Sequence, residues 1–278
     1  MRRVIALAAL MGVVFLGAVE VRAAVVVFDL SSPTGPNASL LKLSVSLNGV
    51  SLVRQEGTPG TSDGNTNLDS NETTYQGKIT VEVDNVLAPT SIKFLSANVD
   101  ADVSGSWLPR ANPGKSPYTN PDVLPAQPAD HGLKYSFIGY DFLYASAREV
   151  VYDITSGTEA VNAGGEFSSA SQVFTFTSGQ LDYWYDLAFV GAGADAGSDS
   201  LVGDDNGNEA GNSSYLVSED GGLQWATLRI PVRLVSGGDF PSVREGVLYA
   251  TAQVPEPATW ILMGAGLVGL AAFARRRK

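Results

Sequence analysis

Apolar and polar residues alternate with a period of two along most of this chain. Leu41, Leu43, Val45 and Leu47 alternate with Lys42, Ser44 and Ser46, and beyond Asn48-Gly49 the pattern resumes at Val50 and Leu52. Asn-Gly tolerates positive φ at both central positions of a two-residue turn, so this stretch predicts a β-hairpin. Ile79, Val81 and Val83 repeat the alternation, and a turn through Ala88-Pro89-Thr90 should return the chain along Ser91 to Leu95. Val150, Tyr152 and Ile154, then Val173 to Thr177, Leu223 to Val235 and Val247 to Val254, read as further strands. Tyr140 to Val150 also admits a helical spacing, but its flanks are Gly139 and a β-branched and aromatic run, which predict an extended segment. From Ser104 to His131 six prolines and two glycines break any regular element and predict a long surface loop or irregular crossover. Nothing of helical length and period lies between the two ends. The expected fold is all-β, an antiparallel β-sandwich or barrel-like ectodomain over residues 24–253, read as one domain with a long excursion in preference to two.

The ends break the pattern. Met1-Arg2-Arg3 precedes an apolar stretch from Val4 to Val19, and Val21-Arg22-Ala23 offers short residues where a signal peptidase reads. Residues 1–23 therefore predict a secretory signal helix cut between Ala23 and Ala24, with an uncleaved membrane anchor as the alternative. At the other end, Val254-Pro255-Glu256-Pro257 leads into an apolar run of 17 residues, 258–274, and Arg275, Arg276, Arg277 and Lys278 close the chain. As a helix that run spans about 26 Å against a hydrocarbon core of roughly 30 Å. A buried core helix and a membrane span both stand as readings. The consecutive cations and the lack of a polar face favour the span, and cations at both ends place the region between them outside the cytoplasm.

Without residues 1–23 and 255–278 the body keeps 11 Lys and Arg against 27 Asp and Glu, a net charge of −16. Such a field repels nucleic acid, which is therefore not an expected partner. There is no cysteine, so disulfides and thiolate metal sites are excluded.

Little of the chain points to catalysis. The single histidine, His131, cannot furnish a multi-histidine metal site, and no serine motif accompanies it, so it reads as a surface loop residue. Two polar stretches read first as solvated loops, Thr61 to Asn71 and Gly191 to Ser214. Asp63, Asn65, Asn67, Asp69 and Asn71 recur at every second position, but the EF-hand pattern needs glycine and glutamate where this chain has Leu68 and Thr74. Asp204 to Glu209 fails the same test. The expectation is no metal centre and no cofactor, with weak Ca2+ binding in these acidic loops as the remaining option. Tyr183-Trp184-Tyr185 and the isolated Trp107 raise a carbohydrate-binding reading, with Trp107 and Trp184 as candidate contacts; aromatic residues on strands are more often core. No enzyme is expected.

Pro255-Glu256-Pro257, the Gly-, Ala- and Leu-rich span and the Arg-rich end together resemble the PEP-CTERM sorting signal of bacterial surface and secreted proteins. The resemblance covers about a tenth of the chain. It implies that Val254, Pro255, Glu256 and Pro257 form a processing motif, that the basic cluster at 275–278 acts as a membrane stop, and that an exosortase-type membrane peptidase is a partner besides signal peptidase. It further implies an exported protein, anchored transiently in the inner membrane and then released to the cell surface or extracellular matrix, where polysaccharide is the expected neighbour. Shorter passages, Gly105 to Pro109, Phe174 to Trp184 and Leu228 to Val232, resemble the β-rich ectodomains of the same proteins and add no catalytic residues.

Overall fold

The computed structural model describes residues 23–30, 37–47, 50–52, 72–101, 130–137, 140–186, 194–236 and 242–254. Among them every regular element is a strand, and every strand pair is antiparallel. In chain order they are β1 (Ala24–Leu30), β2 (Leu40–Leu47), β3 (Val50–Leu52), β4 (Glu72–Val83), β5 (Ser91–Ala101), β6 (His131–Phe137), β7 (Tyr140–Thr155), β8 (Thr158–Ala160), β9 (Glu166–Phe167), β10 (Val173–Asp186), β11 (Ala194–Ser200), β12 (Asp205–Gly207), β13 (Ser213–Asp220), β14 (Leu223–Ser236) and β15 (Ser242–Val254). The predicted signal helix and transmembrane helix lie outside the described residues, and no helix among those residues is long and apolar enough to cross a membrane.

The strands form one hydrogen-bonded sheet in the order β11-β10-β7-β5-β4-β1-β15-β14-β13-β9. The hairpin expected around Asn48-Gly49 is present as β2 and β3, with Leu47 opposite Val50. Alternation decides which residues enter the core. On β14, Ala226, Leu228, Ile230, Val232 and Leu234 point inward, and on β15 Leu248, Ala250, Ala252 and Val254 do the same. Pro231 lies within β14 and cannot donate to a ladder; it sits just beyond Arg229, where pairing with β13 stops, so no β13 rung is lost. Contacts between faces bring the two halves of the sheet together: Phe28 on β1 meets Tyr215 on β13 at 5.7 Å, and Phe94 on β5 meets Phe167 on β9 at 6.1 Å between ring centroids.

β1 and β2 lie end to end in one lane between β4 and β15. Residues Ala24 to Asp29 pair with Val83 to Lys78 of β4, while Leu40 to Lys42 pair with Thr74 to Glu72 of the same strand. On the other side Leu40 to Val45 pair with Val247 to Ser242, and Asp29 and Leu30 pair with Thr251 and Ala250. Tyr249 falls at the junction, where neither strand offers a backbone partner. Ser39 fills that gap with its side chain: its Oγ accepts from Tyr249 N–H at 2.9 Å and donates to Tyr249 C=O at 2.9 Å, while its own C=O accepts from Tyr75 N–H at 2.8 Å. Ser39 is wholly buried. One hydroxyl thus does the work of two backbone groups.

Several sequence expectations need correction. His131 is not in a loop but opens β6, opposite Ala147. Gly191 to Ser214 is not simply a polar loop: it holds β11, which pairs with the far end of β10 from Gln180 to Asp186, and β12, which pairs with its start from Val173 to Thr175. Tyr140 to Val150 is extended as expected, within the 16-residue β7. Thr61 to Asn71 lies outside the described residues.

Candidate functional site

Three places on this sheet combine polar chemistry with enclosure or with the chain ends. The first is the pole where the body begins and ends. Ala23 is exposed, Ala24 starts β1 opposite Val83, and Val254 ends β15 opposite Gln224. Since β1 and β15 are antiparallel neighbours, the start of one and the end of the other emerge on the same side. Val254 is 4% exposed and belongs to the core. Its neighbours Gln253 and Ala252 pair with Trp225 and Ala226 of β14, whereas the β1 pairing of β15 extends only to Thr251. The last three residues of β15 are therefore held from one side.

The same pole carries the turn from β4 to β5, which Asp84 organises. Its Oδ1 accepts from the backbone N–H groups of Asn85, Thr90 and Ser91 at 2.8–3.0 Å, and its Oδ2 accepts from the Thr90 hydroxyl. The little burial it has would raise its pKa, but the Thr90 hydroxyl and the three backbone donors together hold the carboxyl below its ordinary value. Next to this turn lies an open groove of about 440 Å³ between Leu87 to Thr90, Val161 to Gly165 and Tyr215 to Val217. Its floor is fixed by Tyr215, whose hydroxyl donates to Val86 C=O at 2.8 Å and whose N–H donates to Gly165 C=O at 2.8 Å. Burial pushes the Tyr215 phenol up to about 12, so it stays a neutral donor. Gly165 has φ +80°, and a Cβ there would stand 2.3 Å from Tyr215 C=O, which is why the wall closes so tightly on β13.

The second place is a charged cluster at the far end of the core. Arg244 points inward on β15 in phase with Leu248 and is 1% exposed. Its guanidinium lies 5.0 Å from the Phe176 ring and donates to Ser242 Oγ at 3.3 Å, while Nε and Nη2 make no hydrogen bond. Tyr152 packs against Phe176 at 4.6 Å and against Tyr75 at 5.9 Å. Asp130, also buried, accepts from Val150 N–H through Oδ2 at 2.7 Å and leaves Oδ1 without a partner. Burial raises the Asp130 carboxyl to about 7, with Asp100 and Glu149 adding to the rise and the Val150 N–H and Arg244 opposing it. Burial likewise raises Tyr75 and Tyr152. A guanidinium, a carboxyl and two phenols thus share one low-dielectric end of the core, where their interactions are stronger than in water.

The third place is the outer part of β10. Tyr183 and Tyr185 lie on one face of the strand, half-buried, with rings 6.5 Å apart and 15° from parallel. The backbone of Trp184 sits between Tyr144 of β7 and Ala196 of β11, and its side chain lies outside the described residues. So do Trp107, Pro255, Glu256, Pro257, Arg275, Arg276, Arg277 and Lys278.

In the acidic stretch after β11, Asn208 is structural. Asn208 donates from Nδ2 to Gln172 Oε1 and to Pro231 C=O, each at 2.8 Å, and its Oδ1 accepts from Arg233 N–H at 3.0 Å and Ala210 N–H at 3.1 Å. Glu209 pairs with Arg233, and Thr175 donates to Asp205. Among the described residues no three acidic or histidine side chains gather as a metal site would require.

Sequence reasoning missed Ser39, Asp130, Arg244 and Asn208. For Arg244 a signal existed, since it continues the inward phase of Leu248 and Ala250 back through Gly246, but the strand expected from sequence began only at Val247.

No curated protein and no solved structure matches the chain. Residues 253–278 match the family model described as the PEP-CTERM protein-sorting motif. That match begins on the last two residues of β15, so the pole at which the body starts and ends is also where this chain joins its PEP-CTERM sorting signal.

Proposed function

We propose that this chain is a non-enzymatic structural or interaction protein of the cell surface or extracellular matrix, with an antiparallel sandwich-like body, delivered there by its C-terminal signal. The PEP-CTERM motif at 253–278 carries the reading, since it implies processing by an exosortase, a membrane enzyme. An exported β body with a net charge of −16 and no cysteine is suited to a role in a neutral polymer layer, which does not repel it. The test is the mass of protein recovered from envelope and medium. Loss of the segment after Val254 supports the reading, and a retained Arg275 to Lys278 tail on every molecule refutes it. Replacing all four of those cations by Ser should impair retention and processing, and Glu256→Ala should impair processing alone.

A second reading, carbohydrate binding, has one observation in its favour: the parallel, half-exposed rings of Tyr183 and Tyr185 offer a flat surface on which a sugar face could stack. A glycan array with the wild-type chain and with Tyr183→Ala tests it. Binding that the substitution abolishes would establish it, and no binding to neutral or acidic glycans would remove it.

A further inference from the structure

Only Pro255, Glu256 and Pro257 separate the last paired residue of β15 from the apolar run that starts at Ala258. Fully extended, three residues reach about 10 Å. The headgroup layer on one side of a bilayer takes up about 5–7 Å of that. A folded body anchored by this tail therefore rests its Ala24 and Val254 pole almost on the headgroups. A peptidase binds its substrate as an extended segment several residues long, because the cleaved amide must be approached across its face. Chain that is still paired in a sheet cannot enter such a cleft.

Resting on the reading that an exosortase processes this tail, we propose that the end of β15 is a latch. Val254, Gln253 and Ala252 must unzip from Gln224, Trp225 and Ala226 before the motif is processed. The structure is built for that limited opening. These three residues are paired on one side only, while Thr251 and Ala250 are held by β1 as well as by β14, so opening stops there. The enzyme then receives six extended residues, Ala252 to Pro257, in place of three. The fold thereby sets the rate of its own release, and the partner surface at this pole is the peptidase itself.

The experiment uses the full chain expressed with its exosortase. The chain has no cysteine, so Trp225→Cys with Gln253→Cys puts one disulfide across directly opposed residues, where antiparallel geometry brings the side chains within bonding range, and leaves Val254 to Pro257 unchanged. Ser236→Cys with Ser242→Cys, paired at the other end of the same hairpin, is the control. The latched chain should be processed at least about tenfold more slowly than wild type, recover when reductant is added, and recover without it when a linker of about six Gly and Ser residues is inserted between Gln253 and Val254. The linker alone should speed processing several-fold, which reads the latch even where the disulfide fails to form. Wild-type rates in the cross-linked chain, or no gain from the linker, overturn the proposal. No processing of the wild-type chain overturns the sorting reading as well, so the two failures are told apart.

Discussion

Ser39→Ala removes a single oxygen atom, yet it should be among the most damaging substitutions of its size. The hydroxyl is wholly buried and holds both Tyr249 backbone groups at 2.9 Å, across a junction where neither β1 nor β2 supplies a partner. Alanine leaves that N–H and that C=O without partners. An unsatisfied buried group costs about 1–3 kcal/mol, so two of them cost about 2–6 kcal/mol, a large share of the roughly 5–15 kcal/mol that stabilises a domain. Urea unfolding of residues 24–254, followed by tryptophan fluorescence, measures the loss as a fall in midpoint at unchanged slope. Ser96→Ala, on the exposed face of β5, is the reference and should stay within about 0.5 kcal/mol of wild type. A Ser39→Ala midpoint equal to that of Ser96→Ala would refute the claim that the side chain completes the ladder.

Asp130 should make stability fall as pH rises. Its folded pKa of about 7 exceeds an unfolded value of about 3.9, so its contribution is complete below about pH 4 and gone above about pH 7. That is a loss on the order of 4 kcal/mol, and Asp130→Asn should be free of it; unfolding curves of both proteins at pH 4, 6 and 8 that stay parallel would contradict this. Gly246→Ala would bring a Cβ to 2.0 Å from Leu40 C=O, and the clash should separate β2 from β15 and lower stability by about 2–3 kcal/mol, read by thermal unfolding. Asn208→Ala frees the Arg233 N–H and the Pro231 C=O in the part-buried seam between β12 and β14 and should cost about 2–4 kcal/mol, with faster hydrogen exchange at the Arg233 amide.

How legible the chain is from sequence depends on where each residue's partner lies. β2, β4, β14 and β15 announce themselves because one face of each is core and the other is not, so burial writes an alternation into the residues. β1 hides because Ala23-Ala24-Val25-Val26-Val27 is apolar throughout and shows no alternation, its outward residues being apolar too, with Val25 60% exposed. β11, with the sequence ADAGSDS, has no strand character of its own and is a strand because β10 offers a long free edge. Asp130 was beyond reach for a different reason, and Arg244 showed only the phase of its strand and not its burial. Charged residues normally sit in water, and only the packing of β7, β10 and β15 against one another shows them enclosed. The sorting signal needed no fold at all, since its chemistry is written in consecutive residues.

The lane shared by β1 and β2 also fixes when folding can finish. Ser39 meets a partner 210 positions away, and β1 has no neighbour on its β15 side until Ala250 and Thr251 arrive. A chain threaded outward from its N-terminus must keep that lane open through nearly the whole of its passage, with long unpaired edges exposed. Such distant pairings are slow to form and prone to misassociation while they wait. The residues that close the lane, Ala250 and Thr251, stand just before the sorting motif at 253–278. The last rungs thus become available only when the chain has emerged as far as its sorting motif, so the sheet cannot close before that signal is at hand.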